Sequence, residues 1–135
     1  MLTDDFIKDF LEKAKNIVIV GASNNPARAS NHIMKFLMSK GYNCYPVNPN
    51  EEEVLGVKAY KSIAEVPVVP DIVDVFRKSE FAPEIVKEAI KKGARFIWLQ
   101  EDVYSDEAKQ IAEEAGIPIV MNKCIYKEYK RLGLQ

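Results

Sequence analysis

Apolar residues along this chain follow two patterns that take turns. Short, mostly apolar runs at residues 17–20, 71–76, 96–99 and 117–121, with Cys44, Tyr45 and Val47 as a further one, are separated by stretches whose apolar positions return every three or four residues. The short runs predict strands of a parallel sheet, the unbroken one at 17–20 buried on both faces, and the spaced positions predict helices with one buried side. Thr3 is placed to cap a first helix carrying Phe6, Ile7, Phe10, Leu11 and Ala14 on one face. A second helix is predicted over residues 30–40, with Ile33, Met34, Phe36 and Leu37 inward and Gly41 as its stop. Pro83 fits the first turn of a third that runs to Lys92 and ends at Gly93. Ser105 caps a fourth through Ala115, with Asp106 and Glu107 in its first turn and Gly116 behind it, and a last helix covers residues 125–132.

Residues 49–70 break the rhythm. They hold a short strand at 57–60 and a capping-box signature, Ser62-Ile63-Ala64-Glu65, that predicts one helical turn stopped by Pro67. Five strand-helix steps in this order predict an α/β, Rossmann-like three-layer sandwich, a five-stranded parallel sheet with helices on both faces, as one domain over residues 1–135.

Composition narrows the partners. Nineteen basic against twenty acidic residues give no general surface for nucleic acid or anionic membrane, so each cation has to be judged by its place. Cys44 and Cys124 form neither a metal motif nor a disulfide framework. Asp4, Asp5 and Asp9 stand where a targeting segment would be basic, and no apolar run reaches membrane-spanning length, which predicts a cytoplasmic protein with no membrane partner.

In an open parallel sheet, ligands bind outside the carboxyl ends of the strands, where strand order reverses. That rule gathers Gly21-Ala22-Ser23, Val47-Asn48-Pro49, Phe76-Arg77-Lys78-Ser79, Trp98-Leu99-Gln100 and Met121-Asn122-Lys123-Cys124 along one edge. Gly21 lets backbone N–H groups approach an anion that the start of the next helix also favours. The turn departs from the dinucleotide fingerprint G-x-G-x-x-G, because Ser23 takes the second glycine's place and no third follows. The acidic residue expected at the second strand end is replaced by Val47-Asn48-Pro49, so an NAD(P)-dependent oxidoreductase stands only as an alternative. A phosphoacceptor domain would need carboxylates at the first strand end; Asp71 and Asp74 fall inside the third strand instead.

Arg28 suits bidentate contact with a phosphate, Ser23 and Ser30 supply hydroxyls, and Arg77 is a second cation; for each arginine a solvated surface ion pair is the structural alternative. Trp98 serves either as core or as ligand wall, and Gln100 sits one step past its strand. Cys124, beside Lys123 and just before a helix, is either core or a thiol at the mouth of the site. His32 has no inferred carboxylate or cysteine to orient it, and no nucleophile and base pair can be recognised at the edge, so no catalysis is expected of this chain alone.

Taken in order, Gly21-Ala22-Ser23, Asn25-Pro26, Arg28-x-Ser30, Pro46-Val47-Asn48-Pro49, Phe76-Arg77-x-Ser79, Trp98-x-Gln100 and the Cys124 stretch resemble the stand-alone CoA-binding domain proteins. These are single-domain relatives of the nucleotide-binding domain in the succinyl-CoA synthetase α subunit. Ala29 stands where that family usually has proline. The resemblance implies coenzyme A as the bound cofactor, its diphosphate at the first turn and its adenosine end across the neighbouring strand ends. The residues it implicates are Gly21, Ala22, Ser23, Pro26, Arg28, Ser30, Val47, Asn48, Pro49, Phe76, Arg77, Trp98, Gln100, Asn122 and Cys124. It implies a CoA or acyl-CoA binding protein with a carrier, regulatory or partner-dependent role, with a nucleotide-binding subunit of an acyl-CoA ligase as the alternative. If the thiol arm of CoA reached the fifth strand end, Cys124 would be placed for a mixed disulfide.

Overall fold

Four consecutive apolar residues, Ile17 to Val20, are 0–5% exposed, which an amphipathic strand could not be and a central one must be. Side chains alternate along a strand, so Ile17 and Ile19 enter one core while Val18 and Val20 enter another on the opposite face. The computed structural model describes residues 2–135, and this strand, β1 (Asn16–Val20), is the spine of the sheet within them.

The chain begins with α1 (Asp4–Lys13), where Thr3 Oγ1 accepts from the Phe6 N–H at 3.1 Å. After β1 come α2 (Ala29–Ser39), β2 (Asn43–Val47) and a small antiparallel hairpin of β3 (Glu53–Val54) and β4 (Val57–Lys58). A 3-10 turn at Ile63–Glu65 leads to β5 (Ile72–Val75), and a second at Ser79–Phe81 leads into α3 (Ala82–Lys92). Then follow β6 (Ile97–Leu99), α4 (Asp106–Glu114), β7 (Ile119–Val120) and α5 (Ile125–Arg131). The five-stranded sheet has the order β2-β1-β5-β6-β7, and every pairing in it is parallel.

Helices α1, α2 and α5 cover one face, burying Leu11, Met34, Leu37 and Ile125 against Ile17, Ile19, Ile72, Phe96 and Trp98. Helices α3 and α4 cover the other, with Val86, Ala89, Ala108 and Ala112 on Val18, Val73, Val75 and Leu99. Each fully buried Val, Leu, Ile, Met or Phe side chain among them contributes about 1.5–3 kcal/mol. The α/β three-layer sandwich expected from the strand and helix rhythm is the fold observed.

Three expectations need correction. The fifth strand is two residues long because its only partner, β6, is short, and the Ile117 N–H is drawn instead to the Ala112 carbonyl at the end of α4. Ser62 precedes a turn but makes no side-chain cap bond to it. Asp71 is not a strand residue: its carboxylate accepts from the Lys15 and Asn16 N–H groups at 2.8 and 2.9 Å, pinning the start of β1 beside β5.

Asp74 lies in the middle of β5 with Ile19 and Trp98 as its register neighbours, is 0% exposed, and neither carboxyl oxygen has a hydrogen-bond partner among the described residues. Burial pushes this carboxyl well above the usual carboxylate range. The Cys44 thiol, pushed up to about 12 by burial and secondarily by the Asp74 charge, stays neutral beside it. Because the folded value exceeds the unfolded one, near 3.8, the stabilisation from holding the proton is complete below that pH and is lost as pH rises through the folded value. Stability from this group is therefore expected to decline with pH above about 4, by up to about 1.4 kcal/mol per pH unit, and Asp74→Asn is expected to remove that decline. Urea unfolding of both proteins across this range measures it; identical pH profiles would refute the assignment.

Candidate functional site

The first βα turn is shaped by one close approach. Gly21 has a φ of +86°, and a Cβ on it would lie 3.2 Å from Arg77 Cδ and 3.3 Å from the Phe76 carbonyl carbon. A side chain there would be strained and would push the first strand end away from the third. The Gly21 N–H donates to the Val47 carbonyl at 3.1 Å and the Phe76 N–H to the Val20 carbonyl at 2.9 Å, so the ends of β1, β2 and β5 meet at this glycine.

A cleft of about 910 Å³ opens over that junction. Gly21, Ala22, Ser23, Arg28, Ser30, Val47, Asn48, Pro49, Phe76, Arg77 and Gln100 all line it, as the strand-end rule predicts. Ala29 and Ser30 begin α2, so the positive end of that helix abuts the same space. Much of the wall is fixed by amides. Asn48 Nδ2 donates to the Ala22 carbonyl at 2.8 Å while its Oδ1 accepts from the Asn50 N–H at 2.8 Å, joining the first turn to the end of β2. Asn31 Nδ2 donates to the Ser23 carbonyl at 2.9 Å, and the buried Asn31 Oδ1 has no hydrogen-bond partner among the described residues. Asn24 ties the turn to the β3–β4 hairpin, donating to the Glu51 carboxylate and to the Glu53 carbonyl and accepting from the Leu55 N–H.

The electrostatics are one-sided. Arg28, Lys61, Arg77 and Lys78 line the cleft and form no ion pair among the described residues, so the surface-pair reading of the two arginines does not hold. Of the carboxylates in the lining, Glu101 is held by Lys127 at 2.9 Å, which leaves Glu88 on α3. Arg77 is positioned by the Phe81 ring, whose centroid is 4.5 Å from its guanidinium carbon.

Four expected site residues lie outside the lining. Trp98 is 0% exposed, its ring belongs to the core under α1 and α5, and its Nε1 donates to the Lys123 carbonyl at 2.8 Å. Cys124 caps α5 from within the same core at 7% exposure, away from any mouth. Asn122, with a φ of +56°, accepts from the Asp102 N–H at 2.7 Å and holds two loops together. Pro26 is exposed on the turn before α2. Conversely, Lys61, Ser62 and Ile63 line the cleft unannounced, brought there by the parallel bridge between Val47 and Tyr60, as do Phe81, Ile85 and Glu88 through the packing of α3. The one sequence signal for the first group was the short strand at 57–60, which would have to be paired with β2 to reveal it.

Chemically, the cleft offers hydroxyls, backbone N–H groups at a helix start and unpaired cations, a set suited to an extended anion. Both cysteines are buried in the core, and the exposed His32 and these thiols lie outside the lining. No group of three or more His, Cys, Asp or Glu suited to a metal occurs among the described residues, and none of their helices is long and apolar enough to cross a membrane.

Known proteins share this architecture. A hypothetical protein from Pyrococcus horikoshii OT3 superposes with a TM-score of 0.94 at 46% identity, over 97% of this chain and 92% of that one. A Thermus thermophilus protein gives 0.93 at 32% identity over 97% and 99% of the two chains. YneT of Bacillus subtilis is 40% identical over 119 residues, 88% of each chain. The α subunit of the ADP-forming acetate–CoA ligase II of Pyrococcus furiosus is 30% identical over 128 residues, of which the match takes up only 28% of the ligase subunit. The family model described as CoA binding domain matches residues 15–130, from the start of β1 almost to the end of α5. With the glycine turn, the amide-fixed strand ends and the whole sheet inside that span, the chain belongs to the CoA binding domain family.

Proposed function

We propose that this protein binds CoA or an acyl-CoA in the cleft over Gly21, as a carrier, a regulatory protein or a module that lends its site to a partner. The observation that carries the reading is the junction itself: backbone N–H groups and a helix start at the first turn, flanked by two arginines that form no ion pair among the described residues. The diphosphate fits that turn, with Arg28 on its α2 side and Arg77 on its β5 side. The adenosine end then crosses toward Val47-Asn48-Pro49, where no acidic residue holds a ribose as in an NAD site. The relation to ligase α subunits supports a partner-dependent role, since the chain corresponds to 28% of such a subunit and would supply its CoA site alone.

Calorimetry with CoA and NAD tests the reading directly. CoA is expected to bind more tightly, and equal or tighter binding of NAD would remove the hypothesis. Arg28→Ala should weaken CoA binding about tenfold, the scale of one charge-assisted hydrogen bond, with little change in the melting temperature because the residue is exposed. Arg77→Lys should weaken it by a similar factor, since lysine keeps the charge but loses the planar fork and its seat on Phe81. Wild-type affinity in both variants would move the ligand away from this edge. Asn48→Asp would add a negative charge at the end of β2 but would also break the bond to the Ala22 carbonyl, so the arginine variants are the cleaner measurement.

A further inference from the structure

The β2 side of the cleft holds a cation to which the diphosphate assigns no task. Lys61 directly follows the bridge between Val47 and Tyr60, so its backbone runs beside the end of β2, and it lines the cleft. Its ammonium donates to the Pro49 carbonyl at 3.4 Å and forms no ion pair among the described residues. That contact is long and its acceptor is neutral, so a dianion arriving there would take the ammonium over readily. Glu51, the nearest acidic residue after Pro49, accepts from Asn24 on the far side of the first turn and does not line the cleft.

Topology separates this cation from Arg77. Strands β2 and β5 flank β1 on opposite sides, so Arg77, seated on Phe81 after β5, is across the first turn from Lys61. Asn48, between them and the β2 end, has a protein partner for both its oxygen and its nitrogen, and brings no charge. A ligand whose diphosphate sits at Gly21 and whose ribose lies over Val47-Asn48-Pro49 therefore meets Lys61, whose ammonium already reaches the Pro49 carbonyl, next to the ribose. A compact ammonium with three rotatable donors suits a terminal phosphate monoester better than it suits a bridging diphosphate.

We propose that Lys61 is the specificity residue that reads the ribose 3′-phosphate, the group that distinguishes CoA from dephospho-CoA. The proposal rests on the CoA reading above and adds to it the origin of selectivity. Lys61 is exposed, so its replacement leaves both cores intact.

Calorimetry of the wild type, Lys61→Gln and Lys61→Arg with CoA and with dephospho-CoA decides it. The wild type is expected to prefer CoA, the preference to shrink about three- to tenfold in Lys61→Gln, and Lys61→Arg to keep most of it. Added salt should narrow the wild-type preference and leave that of Lys61→Gln nearly constant. An unchanged preference in Lys61→Gln, or a wild type that binds both ligands equally, overturns the proposal while the CoA reading stands. Failure of the wild type to bind either ligand overturns both.

Discussion

Everything at the carboxyl edge of this sheet depends on how closely two strand ends approach at Gly21. The backbone there adopts a φ of +86°, with Phe76 and the aliphatic part of Arg77 packed against the face where a side chain would be. A residue with a Cβ would force the end of β1 away from that of β5, and with it the cation that β5 delivers. The same glycine donates its N–H to the end of β2, so one turn sets the spacing of three strand ends and the width of the cleft above them. Burial on both faces keeps β1 from shifting to relieve the crowding, since a slip would take Ile17 to Val20 out of both cores together.

The cleft owes its charge to the kind of partner that stands around Gly21. Four basic residues that do not line the cleft pair with acidic ones: Lys13 with Asp9, Lys87 with Glu84, Lys127 with Glu101, and Arg131 with both Asp4 and Glu128. Around Gly21 the partners are amides and carbonyls. Asn24, Asn31 and Asn48 satisfy the backbone of the turn without adding negative charge, which leaves Arg28, Arg77 and Lys61 available to an anion. A chain of net charge −1 thus carries a locally positive site without any basic excess in its composition.

Secondary structure was largely readable because local causes decide it here. Thr3 and Ser105 cap the helices they were expected to cap, Gly93 ends α3 in a left-handed conformation, and the apolar runs became strands. The misses occur where the deciding contact is remote. The fifth strand is cut short by the length of its neighbour, and Asp71 is taken from the third strand by N–H groups more than fifty residues away. Segment 49–70 was read as mostly irregular because the hairpin within it is only two residues per strand and leans on Asn24 from the first turn.

For the site, the order of residues along the chain determined which strand ends would carry chemistry: Gly21 through Ser30, Val47 to Pro49, Phe76 and Arg77, and Gln100 converge because parallel strands point the same way. Which side chains at those ends line the cleft was decided by the tertiary structure alone. Trp98 and Cys124 sit at the right edge in sequence yet face the α1, α2 and α5 layer, because the pleat of the sheet sends alternate residues to opposite sides and a helix cap can turn inward. Lys61 and Phe81 reach the cleft through a single bridge to β2 and the seating of a 3-10 turn before α3, contacts between distant segments that leave no periodicity to read.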